Sequence, residues 1–140
     1  MKILVAADGS TFTKRMLAYL AAHDEWLGSQ HDYTVLSVVA AVPPRAAAVL
    51  DREVLHAYYR DEAEKVFKPI RTFFGKQQLK AEFVGKSGAA ADTIAAFADK
   101  GRFDLLVMGS HGQGALGNLV LGSVATKVLA KCSTPVLLVR

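Results

Sequence analysis

The chain has 140 residues, 51% of them hydrophobic and 21% charged, with a formal net charge of +4. That is the size and balance of one globular domain with a buried core, and it excludes disordered and fibrous classes. No run approaches the ~20 consecutive apolar residues of a membrane helix, so no membrane span is expected. The basic residues are interleaved with acids, as in Arg60-Asp61-Glu62-Ala63-Glu64-Lys65. Such mixing describes a solvated helix face, so no nucleic-acid partner is expected, although a mildly basic surface suits a small anion.

The opening Met1-Lys2-Ile3-Leu4-Val5-Ala6-Ala7-Asp8 meets an acid after a few apolar residues and shows no cleavage pattern. No signal peptide is expected, and the cytoplasm is the expected compartment. The single cysteine, Cys132, precludes an internal disulfide within the chain and reads as a small packed residue rather than a nucleophile.

Ile3 to Ala7 reads as a strand running into Asp8-Gly9-Ser10-Thr11, which is helix-capping chemistry. Met16, Leu17, Leu20 and Ala21, with Leu27 at the far end, follow helical spacing until Gly28. Asp8 stands at the carboxyl end of its strand, where open α/β sheets place ligand residues. A turn or cap carboxylate is the competing reading.

Tyr33 to Val39 is rich in β-branched residues and reads as a second strand, closed by Val42-Pro43-Pro44. A helix is expected from about Ala46, with Leu50, Val54, Ala57, Tyr58, Val66 and Phe67 on one face, ended or kinked by Pro69. Lys80 to Val84 is a weaker third strand followed by Gly85-Lys86-Ser87-Gly88. A P-loop would require glycine at position 80, where this chain has Lys80, so that motif is absent. Ile94, Ala95, Phe97 and Ala98 supply the next buried helical stripe.

Asp104 to Met108 is an uninterrupted apolar strand after its first residue, as a strand covered on both faces requires. It enters a turn with glycines at 109, 112, 114, 117 and 122. Glycines allow φ > 0 and close approach to another group, and a turn opening on a helix N-terminus attracts anions, phosphate above all. Gly112, Gly114 and Gly117 satisfy G-x-G-x-x-G, but a dinucleotide site needs an acid about 20 residues further on, and no acid follows Asp104. Leu116, Leu119, Val120, Val124, Val128 and Leu129 are spaced as a buried helix stripe. After Thr134-Pro135, Val136 to Val139 forms a last strand.

A second pattern fits the turn better: Gly109-x-x-Gly112, nine residues, then Gly122-Ser123. With Met108-Gly109-Ser110-His111-Gly112 and the closing Ser133 to Val139, it resembles the universal stress protein family, in which this spacing marks the ATP-binding members. Gly88 to Ile94 is similar to the family's helix entry, with Ala90 where proline is common. The resemblance covers nearly the whole chain. It implies a single domain, 1–140, with a Rossmann-like, doubly wound parallel five-stranded sheet of order 3-2-1-4-5 and helices on both faces.

The resemblance also implies roles. Asp8 and the backbone of Val38 would hold the adenine and ribose end, and Met108 and Gly109 would line the ribose. Gly112, Gly122, Ser123 and Val124 would surround the triphosphate. Mg²⁺ or Mn²⁺ would arrive bound to the ATP phosphates, since no carboxylate cluster offers a metal its own cage. Members of this type pair their last strand across a two-fold axis, so a homodimer is expected. The function implied is a nucleotide-dependent regulatory module of the stress response with a protein partner of unknown kind. The alternative is a slow ATPase or a self-phosphorylating or nucleotide-transferring enzyme. For that chemistry only His111 and Lys127 stand near the turn, and each has a plain structural reading, so no catalytic residue is assigned.

Overall fold

A computed structural model describes residues 1–114 and 120–140. In chain order the elements are β1 (Lys2–Ala6), α1 (Thr11–Ala22), α2 (Asp24–Leu27), β2 (Asp32–Val39), α3 (Pro44–Ala48) and α4 (Arg52–Lys76). There follow β3 (Ala81–Ser87), α5 (Ala90–Lys100), β4 (Leu105–Gly109), α6 (Ser123–Lys131) and β5 (Val136–Val139). The strands form one parallel sheet of order β3-β2-β1-β4-β5.

β1 lies between β2 and β4, with Ile3 opposite Tyr33 and Leu105, and Ala6 opposite Leu36 and Met108. Its apolar run has no polar alternation because both faces are covered. Ile3 and Val5 point into a core shared with Met16, Leu20, Phe67, Ile70 and Phe74 of α1 and α4. Leu4 and Ala6 point the other way, into a core built with Ile94 and Ala98 of α5 and Ala125 and Val128 of α6. Helices thus cover both faces. Among the described residues, no helix is long and apolar enough to cross a membrane.

Three sequence expectations are corrected. Instead of one helix from Ala46 there are two, α3 and α4, and Leu50, Val54 and Tyr58 are exposed. The buried stripe of α4 is Ala63, Phe67, Ile70 and Phe74, and the helix continues past Pro69, which lies inside it. An interior proline costs about 3 kcal/mol, whereas burying each large apolar side chain contributes about 1.5–3 kcal/mol. The phenylalanines and isoleucine on both sides of Pro69 therefore outweigh it.

β3 extends to Ser87 rather than ending at Val84. Gly85, Lys86 and Ser87 continue the ladder opposite Ser37, Val38 and Val39. As an edge strand, β3 can carry an exposed lysine.

The third correction concerns the stripe after the glycine turn. α6 begins at Ser123, Val120 and Leu129 are exposed, and Ala125 and Val128 carry the burial. Leu116 and Leu119 fall outside the described residues. The helix starts late because the Gly122 N–H donates to the Ser110 carbonyl at 2.8 Å, tying the chain back to the end of β4.

The turn between α6 and β5 is held from α5. Asp99 accepts hydrogen bonds from the Thr134 hydroxyl at 2.9 Å, the Thr134 N–H at 3.1 Å and the Ser133 N–H at 3.2 Å. These donors, the Thr134 hydroxyl first, hold its carboxyl down to about 2. A depressed carboxyl contributes stability that is complete above its ordinary pKa near 4 and is lost as pH falls towards the folded value. Asp99→Asn should therefore melt below wild type at pH 6, with a gap that narrows between pH 4 and pH 2. Thermal denaturation across that range checks this, and a gap independent of pH would remove Asp99 from the account.

Candidate functional site

The sheet changes direction between β1 and β4, and at the carboxyl ends of β1, β2 and β4 lies a cavity of about 450 Å³. Open α/β sheets bind ligands at this switch point. The volume lies within the range of about 300–1,000 Å³ usual for small-molecule sites. All eight residues singled out from the sequence line it: Asp8, Val38, Met108, Gly109, Gly112, Gly122, Ser123 and Val124. Its floor and walls also take Ala6, Leu36, Ile94 and Ala125.

Asp8 is built into its turn before any ligand is considered. Its Oδ1 accepts the Ser10 N–H at 2.9 Å and the Thr13 hydroxyl at 3.1 Å, while the Thr13 Oγ1 receives the N–H groups of Asp8 and Gly9. Its Oδ2 accepts the Gln113 N–H at 3.2 Å, and the Gln113 amide donates to the Asp8 carbonyl at 3.1 Å. The turn and ligand readings of Asp8 are therefore not exclusive: the turn bonds fix a carboxylate that lines the cavity.

The close approach that the turn glycines permit is to other parts of the protein. A Cβ on Gly109 would lie 2.7 Å from the Cβ of Phe12, and one on Gly112 would lie 2.6 Å from Asp8 Oδ2. On Gly122 it would meet the His111 Cα at 3.0 Å and the Ser110 carbonyl oxygen at 3.2 Å. The close neighbour is in each case the protein itself. Of the described glycines between 109 and 122, Gly114 alone takes a positive φ, +69°; Gly117 falls outside the described residues.

Two helices present their N-termini at this cavity, α5 through Ala90 and α6 through Ser123, Val124 and Ala125. Neither has a side-chain cap. The first N–H groups of any helix lack intrahelical acceptors and carry partial positive charge. Two such ends around one apolar cavity whose lining holds a single carboxylate, Asp8, suit an anion with an apolar body. Among the described residues no group of three or more His, Cys, Asp or Glu side chains is placed to hold a metal.

His111 lines the cavity, with Nδ1 at 2.8 Å from the Ser110 hydroxyl and its ring 4.8 Å from that of Phe12. Lys127 is exposed on α6 and does not line the cavity. Cys132 is half-buried at the end of α6, where burial pushes its thiol pKa up, away from the thiolate a nucleophile needs. Sequence reasoning missed Gln113 and Thr13. Gln113 carries no motif signal, but Thr13, five residues after Asp8, has the side chain of a capping turn.

The fold and cavity define a doubly wound α/β protein with a small-molecule crevice at its switch point. The universal stress protein family model matches residues 1–140, and the chain belongs to that family. It is 36% identical over 138 residues to a universal stress protein of Thermus aquaticus, covering 99% of this chain and 97% of the relative. A universal stress protein family member from Arabidopsis thaliana, solved with AMP bound, shares the fold with a TM-score of 0.71 at 18% identity, over 99% of this chain and 90% of that one. The Archaeoglobus fulgidus universal stress protein in complex with dAMP matches with a TM-score of 0.64 at 22% identity, over 100% and 98%.

Because the turn glycines are packed against protein atoms, Gly109→Ala and Gly112→Ala should each destabilise the ligand-free protein by about 1–3 kcal/mol, as overpacking does. Urea denaturation measures this. Unchanged midpoints would mean that Phe12 and Asp8 can move aside.

Proposed function

We propose that this protein is an adenine-nucleotide-binding regulatory module of the stress response, taking ATP with Mg²⁺ or Mn²⁺ at the switch-point cavity. The observation that carries the reading is the pair of uncapped helix N-termini, α5 and α6, opening on the cavity lined by Asp8, Val38 and Met108. AMP and dAMP bound by relatives of the same fold support it. In this reading Asp8 and the Val38 backbone hold the adenine and ribose end, and Met108 and Gly109 line the ribose. The triphosphate lies against Gly112, Gly122, Ser123 and Val124, where the main-chain N–H groups that open α6, those of Ser123 and Val124, do most of the binding. The divalent cation is held by the phosphates and water, with Asp8 the one carboxylate of the lining. Occupancy changes a surface read by a protein partner.

The chain forms a homodimer in this proposal, through β5. That strand is a sheet edge whose Val136, Leu137 and Leu138 are only partly buried. An unpaired apolar edge is a surface that another chain covers. Sedimentation should give a dimer at micromolar concentration, and a monomer throughout would end this part of the proposal.

The second reading, a slow ATPase or nucleotide-transferring enzyme, rests on His111 in the cavity wall. His111→Ala separates the two. Loss of measurable turnover with unchanged ATP affinity favours the enzyme, whereas absence of turnover in both proteins favours the module.

Ser123→Glu tests the binding site itself. A carboxylate at a helix N-terminus favours the fold, but it would stand where the phosphates are proposed to lie. Calorimetric titration of Mg-ATP should show affinity reduced at least tenfold, about 1.4 kcal/mol, with the melting temperature kept or raised. Equal affinity in the two proteins would place the phosphates elsewhere.

A further inference from the structure

A second cavity, of about 420 Å³, lies between α4 and the edge strand β3 and shares no lining residue with the first. Its chemistry divides along its length. One end is lined by His56, Tyr59 and Arg60 of α4 together with Lys86 and Ser87 of β3. At the other end the rings of Phe67 and Phe83 meet edge-on, 5.3 Å between centroids, with the Arg71 guanidinium 5.6 and 4.7 Å above them.

The charges of the groove do not cancel. Glu64 is its one carboxylate, and Arg71 occupies both of its oxygens at 2.6 and 2.8 Å. Arg60 and Lys86 are left as surplus cations on opposite walls. Among the described residues Arg60 pairs only with Asp61, at 3.8 Å with both side chains exposed, and Lys86 makes no ion pair. An exposed pair of that kind binds weakly and yields to a better partner. Tyr59 is held in place because its oxygen accepts the Val42 N–H at 2.9 Å. Between the two ends, Gly85 faces Ala63 so closely that a Cβ on Gly85 would come within 3.1 Å of the Ala63 Cβ. Two minimal residues thus let the walls meet beneath the groove.

We propose that this groove is a second binding site, for a small amphipathic organic anion. A carboxylate or phosphate head sits between Arg60 and Lys86, and a flat apolar body lies along Ala63 and against the Arg71 guanidinium, which the Phe67 and Phe83 rings back. Both parts are required. A head alone gains only a solvent-screened interaction with two exposed cations. A neutral body alone covers a small apolar area and leaves the cations unsatisfied. The site is separate from the nucleotide cavity, so the two proposals stand or fall independently.

Phenyl phosphate is the probe, titrated into the ¹⁵N-labelled full chain and followed by amide shifts, with inorganic phosphate and benzyl alcohol as the two halves. Phenyl phosphate should shift the amides of Gly85, Lys86 and Ser87 saturably, and each half should bind at least tenfold more weakly. Arg60→Gln combined with Lys86→Gln should weaken phenyl phosphate at least tenfold while leaving amides outside the groove in place. The single variant Arg60→Glu should do the same. Equal binding by either half, wild-type affinity in these variants, or shifts confined to residues 109–112 and 122–125 would overturn the proposal.

Discussion

The parallel pairing of β1 with β4 is the constraint on which the site depends. Ala6 stands beside Met108, so the turns that follow, beginning at Asp8 and at Ser110, leave the sheet side by side although they are far apart in the chain. The junction is closed at both ends. Below, the Lys2 N–H donates to the Asp104 carboxylate and the Asp104 N–H returns a bond to the Lys2 carbonyl, each at 2.8 Å. Above, Gln113 bridges to Asp8 through its backbone and its side-chain amide. A sheet whose central strands diverge in connectivity at that edge leaves a crevice there, because the following helices depart to opposite faces.

That arrangement changes what the glycine spacing means physically. Gly109, Gly112 and Gly122 sit where Phe12, Asp8 and the Ser110–His111 backbone press against the turn. Glycine is needed for the two turns to nest, and the nesting in turn places Ser123 and Val124 on the cavity. A spaced-glycine motif of this sort acts through the backbone it permits rather than through side chains. It follows that bulky replacements in the motif disturb the fold before they report on binding.

The two sides of the sheet also carry different burdens. The α5 and α6 side closes the switch-point cavity with small and branched residues, Ala90, Ile94, Val124 and Ala125. The α4 side is stabilised by aromatic packing, with Phe67, Phe74 and Phe83 in edge-on contact. That packing is what carries α4 through Pro69. At the β3 edge the partly buried Phe83 closes this packing, and Arg71, paired with Glu64, lies across the Phe67 and Phe83 rings.

Local pattern was enough to find four of the five strands. The unbroken apolar runs of β1 and β4 are set by the chain itself, because a strand covered on both faces is apolar nearly throughout, and the β-branched run of β2 and the apolar β5 are legible in the same local way. The strand order and the assembly of Asp8 with the glycine turn were legible only through the family's spaced motif, which summarises tertiary contacts that no window of sequence contains. Tertiary structure alone decided the rest. Burial of Phe67, Ile70 and Phe74 overrode the proline rule, ladder pairing with β2 drew Gly85 to Ser87 into β3, and the Gly122 to Ser110 bond set where α6 begins. In each case a long-range contact outweighed a local preference. Gln113 and the α4–β3 groove belong to the same category, since their partners are remote in sequence and come together only when the sheet has formed.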